Sequence, residues 1–268
     1  MSKNRLAALL LVLSSTLFAE VSDKWKVNLG GMFVTNFETD MQVGKKDVPV
    51  GVKINTKDQL GLDSQTAAFR LDGYYRFTDY HSIDVSYFSV RSDGNRYVDH
   101  EFQWNGDTLS DINVNSHFDM DIYKINYGYS FYHNKDIELM LTAGLHITAV
   151  DLGIEASGIV NGEASKKVSS GASVAAPLPV VGFKGEYTII PKSLFVNYKA
   201  EYFYLAFDVY KGAFVSSILS FEYRFLDNFG IGLGFTNNTI LAEMEDGDKK
   251  VEIENQLTGV TTYLTYIY

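Results

Sequence analysis

Apolar and polar residues alternate with a period of two along most of this chain, which is typical of β-strands whose two faces meet different surroundings. The clearest stretch runs from Leu194 to Phe235. It contains three alternating segments, separated by short breaks at Lys211-Gly212 and at Leu226-Asp227-Asn228. We therefore expect three consecutive antiparallel strands here.

The same pattern recurs elsewhere and predicts about ten strands, although eight or twelve could also be drawn. Tight turns are expected at residues 78–81, 133–136 and 191–192, and long polar loops at 38–63, 91–116 and 151–175. Short turns on one rim and longer loops on the other are typical of antiparallel up-and-down transmembrane β-barrels. An even number of strands places both termini on the short-turn rim.

The first residues predict export. Lys3 and Arg5 precede an apolar run from Leu6 to Leu13, and small residues follow up to Ala19. This is the pattern of a secretory signal peptide, and the run is too short to span a bilayer as a helix. We expect residues 1–19 to be the signal peptide and residues 20–268 to form one barrel domain.

The charge and the cysteine content exclude several classes of partner and of covalent modification. The formal net charge is −10, and loss of Lys3 and Arg5 with the signal would make it two units more negative, so nucleic acid is not an expected partner. The chain has no cysteine, which excludes disulfides and a lipid anchor on cysteine. We expect no cofactor and no metal. Alternation alone leaves a soluble lipocalin-like barrel as the alternative fold.

The last ten residues, GVTTYLTYIY, end in an aromatic residue preceded by alternating apolar ones. With the signal and the alternation, they resemble the small outer-membrane β-barrel proteins of Gram-negative bacteria. The resemblance implies an outer-membrane location, and it implies that Leu264, Tyr266 and Tyr268 form the signal that the barrel-assembly machinery recognises. Tyr268 stands where phenylalanine is commoner. The resemblance concerns the fold and implies no activity.

Aromatic residues near the short turns and the C-terminus are expected to form a girdle at the periplasmic interface. The predicted members are Phe77, Tyr80, Phe131, Tyr132, Tyr187, Phe195, Phe225, Phe229, Tyr266 and Tyr268.

Charged residues of both signs share the polar faces and are expected to line the lumen. About ten strands enclose a lumen that side chains largely fill, and buried charges need partners. We therefore expect a paired charge network that closes the barrel. Its predicted members are Arg70, Asp72, Arg76, Asp84, Glu138, Lys184, Glu186, Lys199, Glu201, Glu222 and Arg224.

Two features could carry chemistry. His117, Asp119 and Asp121 are the one acid-histidine cluster at the outer end of a strand, similar to the rim of omptin proteases, but the second Asp-x-His pair of those proteases is absent. The acidic stretch 243–254 could bind Ca²⁺, although a soluble hairpin tip is the simpler reading. His146 has no matching serine for a lipid A deacylase-like site.

The expected function is therefore a non-enzymatic outer-membrane barrel with a structural or surface-interaction role. Outer-membrane lipid and lipopolysaccharide are its expected partners, and the oligomeric state stays open. A narrow porin-like channel for small solutes is the alternative, and an omptin- or lipid A deacylase-like hydrolase is a third reading.

Overall fold

The computed structural model describes residues 23–45, 52–55, 62–63, 65–98, 102–104, 107–160, 163–207, 210–246 and 249–268. Its strands are β1 (Trp25–Lys45), β2 (Val52–Asn55), β3 (Thr66–Thr78), β4 (His81–Val98), β5 (Phe102–Trp104), β6 (Asp107–His133), β7 (Ile137–Val160), β8 (Glu163–Ile190), β9 (Leu194–Phe207), β10 (Tyr210–Leu226), β11 (Phe229–Asp246) and β12 (Lys249–Ile267). Within that part of the chain no helix is long and apolar enough to cross a membrane, a finding that concerns helices alone. The predicted signal peptide lies outside the described residues.

Ten long strands form a closed antiparallel barrel, as predicted. Each pairs with its neighbours in sequence, and β12 pairs with β1 from Lys26↔Ile267 to Lys45↔Lys249, which closes the sheet. The short strands β2 and β5 pair with the outer ends of β1 and β6. Closure joins the first strand to the last, so among the described residues the wall has no free edge strand next to the short turns, where each long strand is paired on both sides.

Strands occupy part of each predicted long loop. Residues 38–45, 91–98, 107–116 and 151–160 continue as strands, and β6, β7 and β8 reach 27, 24 and 28 residues. These segments looked like loops because polar side chains such as Arg91 and Asp93 face outward there, where water replaces lipid. The wall on this side therefore rises well beyond the apolar belt.

The outer surface next to the short turns is a belt of exposed apolar and aromatic side chains. On each strand they occupy alternate positions, for example Phe229, Ile231, Leu233 and Phe235 on β11. A spanning strand needs about 9–11 residues, and the belt on β6, from Tyr123 to Tyr132, has this length. This is the surface of a membrane-spanning barrel.

Most residues of the predicted aromatic girdle are exposed on this surface, but Phe195 is not. Phe195 is 1% exposed and lies in the lumen, with the guanidinium carbon of Arg224 at 3.9 Å from its ring centre. It shares the odd positions of β9 with Lys199 and Glu201, so its parity places it inside even though it stands beside a turn.

Strand β12 pairs with β11 in one unbroken register from Phe229↔Tyr266 to Asp246↔Lys249. Odd positions of β12, including Asn255, Leu257 and Thr261, are buried, while Val260 and Leu264 face outward. The apolar residues of β12 lie at outward, even positions near the C-terminus and at inward, odd positions such as Leu257 further up, because the interior becomes mostly apolar above the charged layer. The shift in pattern thus reflects the lumen and not a displaced strand.

Candidate functional site

All eleven charged residues predicted for the lumen lie in the half of it next to the short turns, which we call the lower half. Alternation on β3, β4 and β7–β10 points each of them inward, and the most exposed, Asp72, has 24% of its side chain accessible. The structure joins them into several ion-paired groups and adds three residues that the sequence analysis missed: Asp23, Lys26 and Lys124.

The group nearest the short-turn rim is built around Glu222. Its carboxylate accepts hydrogen bonds from Lys26 Nζ at 3.1 Å and from Arg224 Nε at 3.0 Å. Lys26 also lies 3.5 Å from Glu186, and Arg224 lies 2.7 Å from Asp23. We call these five residues the Glu222 cluster; every side chain in it is buried, so the pairing compensates for lost hydration.

Asp23 lies at the short-turn end of this cluster, two residues before the first residue of β1. Burial raises the pKa of Asp23 to about 6, against the opposing attraction of Arg224. The carboxyl is therefore the member of the group whose charge is most costly to maintain at neutral pH.

Two further pairs and one packed lysine follow on β3, β4, β7 and β8. Arg76 donates to Glu138 at 2.6 Å, and Arg70 makes a two-pronged contact with Asp72 at 2.5 and 3.0 Å. Lys184 lies 3.6 Å from Asp84 and 4.3 Å from the ring centre of Tyr74. These contacts link strands across the lumen as well as along the wall.

On the opposite side, Glu201 accepts hydrogen bonds from Lys124 at 2.5 Å and from Asn126 at 2.9 Å, with Lys199 at 3.1 Å. His146 lies beyond this group, fully buried, with its ring centre 4.2 Å from that of Phe214. Neither ring nitrogen of His146 has a hydrogen-bond partner.

The paired charges of the described lumen balance. Seven cationic and seven anionic side chains take part, once Asp23, Lys26 and Lys124 join the predicted set. The missed lysines alternate with outward residues such as Trp25 and Tyr123, so the period-two pattern could have found them. A neutral, paired lumen presents no net field that would draw ions of one sign through it.

A cavity of about 120 Å³ lies in the middle of the charged layer, a size that holds a few water molecules. Its lining includes Lys26, Arg70, Asp72, Lys184, Asn197 and Lys199.

Above the charged layer most lumen side chains are apolar, which the sequence analysis did not predict, although Thr39, Ser92, Ser116 and Asn255 are also buried there. The largest buried cluster contains Met32, Val34, Phe37, Leu62, Ala68, Phe88, Val90, Val114, Phe118, Met120, Ile122, Leu152, Ile154 and Leu257. Leu62 comes from the segment between β1 and β3, where Ser92 Oγ donates to the carbonyl of Asp63 at 2.9 Å. Leu62 is therefore part of the filling of the lumen.

The rim cluster considered for hydrolysis faces outward. His117 lies 3.1 Å from Asp151, while Asp121 and Asp119 lie 2.8 and 3.6 Å from Arg91. The structure therefore separates the histidine from the two aspartates of its own strand and pairs it with β7. Among the described residues, no three His, Cys, Asp or Glu side chains are grouped so that they could hold a metal ion.

No protein-family model and no curated protein matches this sequence. The fold is similar to the outer membrane protease OmpT from Escherichia coli, with a TM-score of 0.58 at 12% identity over 95% of this chain and 100% of that chain. The likeness shows a shared barrel fold. The toluene transporter TodX of Pseudomonas putida (TM-score 0.37, 9% identity, 90% of this chain and 89% of that chain) and Ail of Yersinia pestis (0.27, 11%, 90% and 99%) also match.

Proposed function

We propose that this chain is an outer-membrane barrel of a Gram-negative bacterium with a structural or surface-interaction role, and that its lumen is closed. The observation that carries the proposal is the filling of the lumen by two layers. Seven cations paired with seven anions lie below, and an apolar cluster with members at 0% exposure lies above. Among the described residues, side chains of both layers fill the lumen, and this filling supports a closed barrel.

The tall wall supports a role at the surface. Beyond the apolar belt, the outer faces of β4, β6 and β7 present Arg91, Asp121, His117 and Asp151 to water. In the proposed orientation this wall stands outside the cell, among the polar groups of lipopolysaccharide. Outer-membrane lipid and lipopolysaccharide are the partners that follow.

The role of the C-terminus in assembly belongs to the same proposal. Leu264 and Tyr268 are exposed on the outer face, and Tyr266 packs between Trp25 and Phe229 with ring centres 5.2 and 4.8 Å away. These residues make an aromatic patch at the seam where β12 meets β1. An assembly machinery that closes the barrel would meet this seam last.

A solute-flux assay tests the proposal. Refolded protein in liposomes, with a general porin in parallel liposomes, should admit neither a small sugar nor a small amino acid, while the porin admits both. Heat-dependent migration on a gel verifies folding of the same samples. Flux above the empty-liposome rate would favour the narrow channel, and peptide or lipid A hydrolysis lost on His117→Ala would favour the enzyme.

A further inference from the structure

The wall of the barrel parts between β8 and β9. Their ladder runs from Ile190↔Leu194 to Val181↔Tyr202 and extends no further among the described residues. Both strands nevertheless continue, because β8 stays paired with β7 as far as Val160↔Glu163, and β9 stays paired with β10 as far as Phe207↔Tyr210. We call the gap above Val181 and Tyr202 the β8–β9 notch.

Two prolines explain where the ladder stops. Thr188 N donates to the carbonyl of Asp136 at 2.7 Å, so the even-numbered residues of β8 bond to β7. The β7–β8 register is unbroken from there through Leu145↔Pro179 and Ile147↔Pro177, so the nitrogens of both prolines face the β9 side. Proline has no N–H to donate. The edge of β8 that faces the notch therefore lacks two successive donors, and the sequence itself prevents β9 from pairing there.

The notch lies at the height of the apolar belt, on the side away from the short turns. Leu145, opposite Pro179, is exposed on the outer surface. Tyr204 on the other flank pairs with Ala213, which pairs in turn with exposed Leu241. The gap thus opens into hydrocarbon and not into water.

Both flanks of the notch are uncharged and mostly apolar, over residues 177–181 and 202–206. Leu205 takes an inward position on β9 yet is 50% exposed, whereas Phe203, the preceding inward residue, is 7% exposed. Behind the gap lies a small apolar cluster formed by Leu178, Val180, Phe203, Phe214 and Ile240. Leu205, at an inward position of β9, is therefore accessible beside the gap.

We propose that the β8–β9 notch receives one acyl chain of a lipid in the outer leaflet, seated between Pro179 and Tyr204 against Leu178 and Leu205. An added β-strand does not fit this edge, because the prolines cannot donate to it. An acyl chain needs no hydrogen bonds and matches the uncharged walls. The proposal rests on the membrane placement proposed above but not on a closed lumen.

Photolabelling in liposomes tests it. The phospholipid carries a diazirine near the end of one acyl chain, and adducts are mapped by mass spectrometry after irradiation. Leu205 and Leu178 should be labelled about fivefold more than Leu257, which faces the close-packed interior. Outward Leu233 reports ordinary contact with lipid. If Leu233 is labelled but Leu205 is labelled no more than Leu257, the notch proposal is overturned while the membrane placement stands.

Substitutions that restore the donors supply the second arm. Pro177→Val with Pro179→Val should let β8 pair with β9 and lower labelling of Leu205 about fivefold, with Leu233 unchanged. Pro191→Val, in the turn after β8, is the matched control and should change neither. Undiminished labelling of Leu205 in the double variant would contradict the proposal.

Where the double variant fails to fold, a disulfide can close the gap. The chain contains no cysteine, so Pro179→Cys with Tyr204→Cys gives one defined pair, and Tyr187→Cys with Val196→Cys gives the control at an existing register position. Oxidation of the first pair should abolish labelling of Leu205, and oxidation of the second should not. Absence of label on Leu233 in the wild type would overturn the membrane placement, and the notch proposal with it.

Discussion

Replacing Glu222 by glutamine tests the Glu222 cluster. Glu222 is fully buried and accepts hydrogen bonds from Lys26 at 3.1 Å and Arg224 at 3.0 Å. The Glu222→Gln variant keeps the shape of the side chain and removes its charge. Both cations then depend on their second partners, Glu186 at 3.5 Å and Asp23 at 2.7 Å.

Breaking a buried ion pair by removing one partner costs about 3–5 kcal/mol, because a charge is left in a medium that solvates it poorly. Here each cation keeps one carboxylate, so we expect the lower end, a loss of about 3 kcal/mol in the free energy of unfolding.

Glu243→Gln is the matched control, since Glu243 lies 3.2 Å from Lys211, whose side chain is 50% exposed. Exposed pairs contribute about 0–1 kcal/mol, so this variant should lose no more than that. Urea unfolding of protein refolded into lipid vesicles, followed by circular dichroism, measures both. Equal, small losses for the two variants would refute the view that the lumen charges are paired in a poorly solvated interior.

Three further predictions concern other parts of the molecule. Burial raises the pKa of Asp23 to about 6, so the ionised carboxylate costs the folded state about 3 kcal/mol above pH 6 and nothing below about pH 4. Lowering the pH from 7 to 4 should therefore stabilise the wild type relative to Asp23→Asn in urea unfolding. Parallel pH profiles for the two proteins would contradict this. Gly232→Ala should lose about 1–3 kcal/mol, because an added Cβ would overlap the ring of Tyr263, whereas Gly212→Ala, whose nearest neighbour is at 3.8 Å, should lose much less in the same assay. Tyr268→Ala should lower the amount of barrel inserted in cells while leaving refolding into detergent unchanged, as seen by heat-dependent gel migration; normal insertion would argue against an assembly signal.

The spanning part of the barrel could be predicted from sequence because lipid outside and polar contacts inside make the alternation sharp. Ile231, Leu233 and Phe235 alternate with lumen-facing glycines, and within each of β8, β9 and β10 the inward charges lie two residues apart, on one face of the strand. Lys26 and Lys124 obey the same rule, although they were not included in the predicted network.

The half of the barrel away from the short turns could not be predicted, because polar residues face outward there and apolar residues face the lumen. Arg91 and Asp93 face water while Val90 lies inside at 0% exposure, so a continuous strand resembles a charged loop. Pairing across the lumen, such as Lys26 with Glu222, joins residues far apart in sequence and depends on the barrel's curvature. The effect of Pro177 and Pro179 on the wall likewise needed the register of β7 to show which way their nitrogens point.

The closed lumen is the central claim, and single-channel recording in a planar bilayer tests it most directly. Refolded protein whose insertion is verified should give no discrete conductance steps at either polarity. The same should hold at high salt, where exposed ion pairs weaken but buried ones persist. Reproducible steps of one size would show an open path through both layers and would contradict the account.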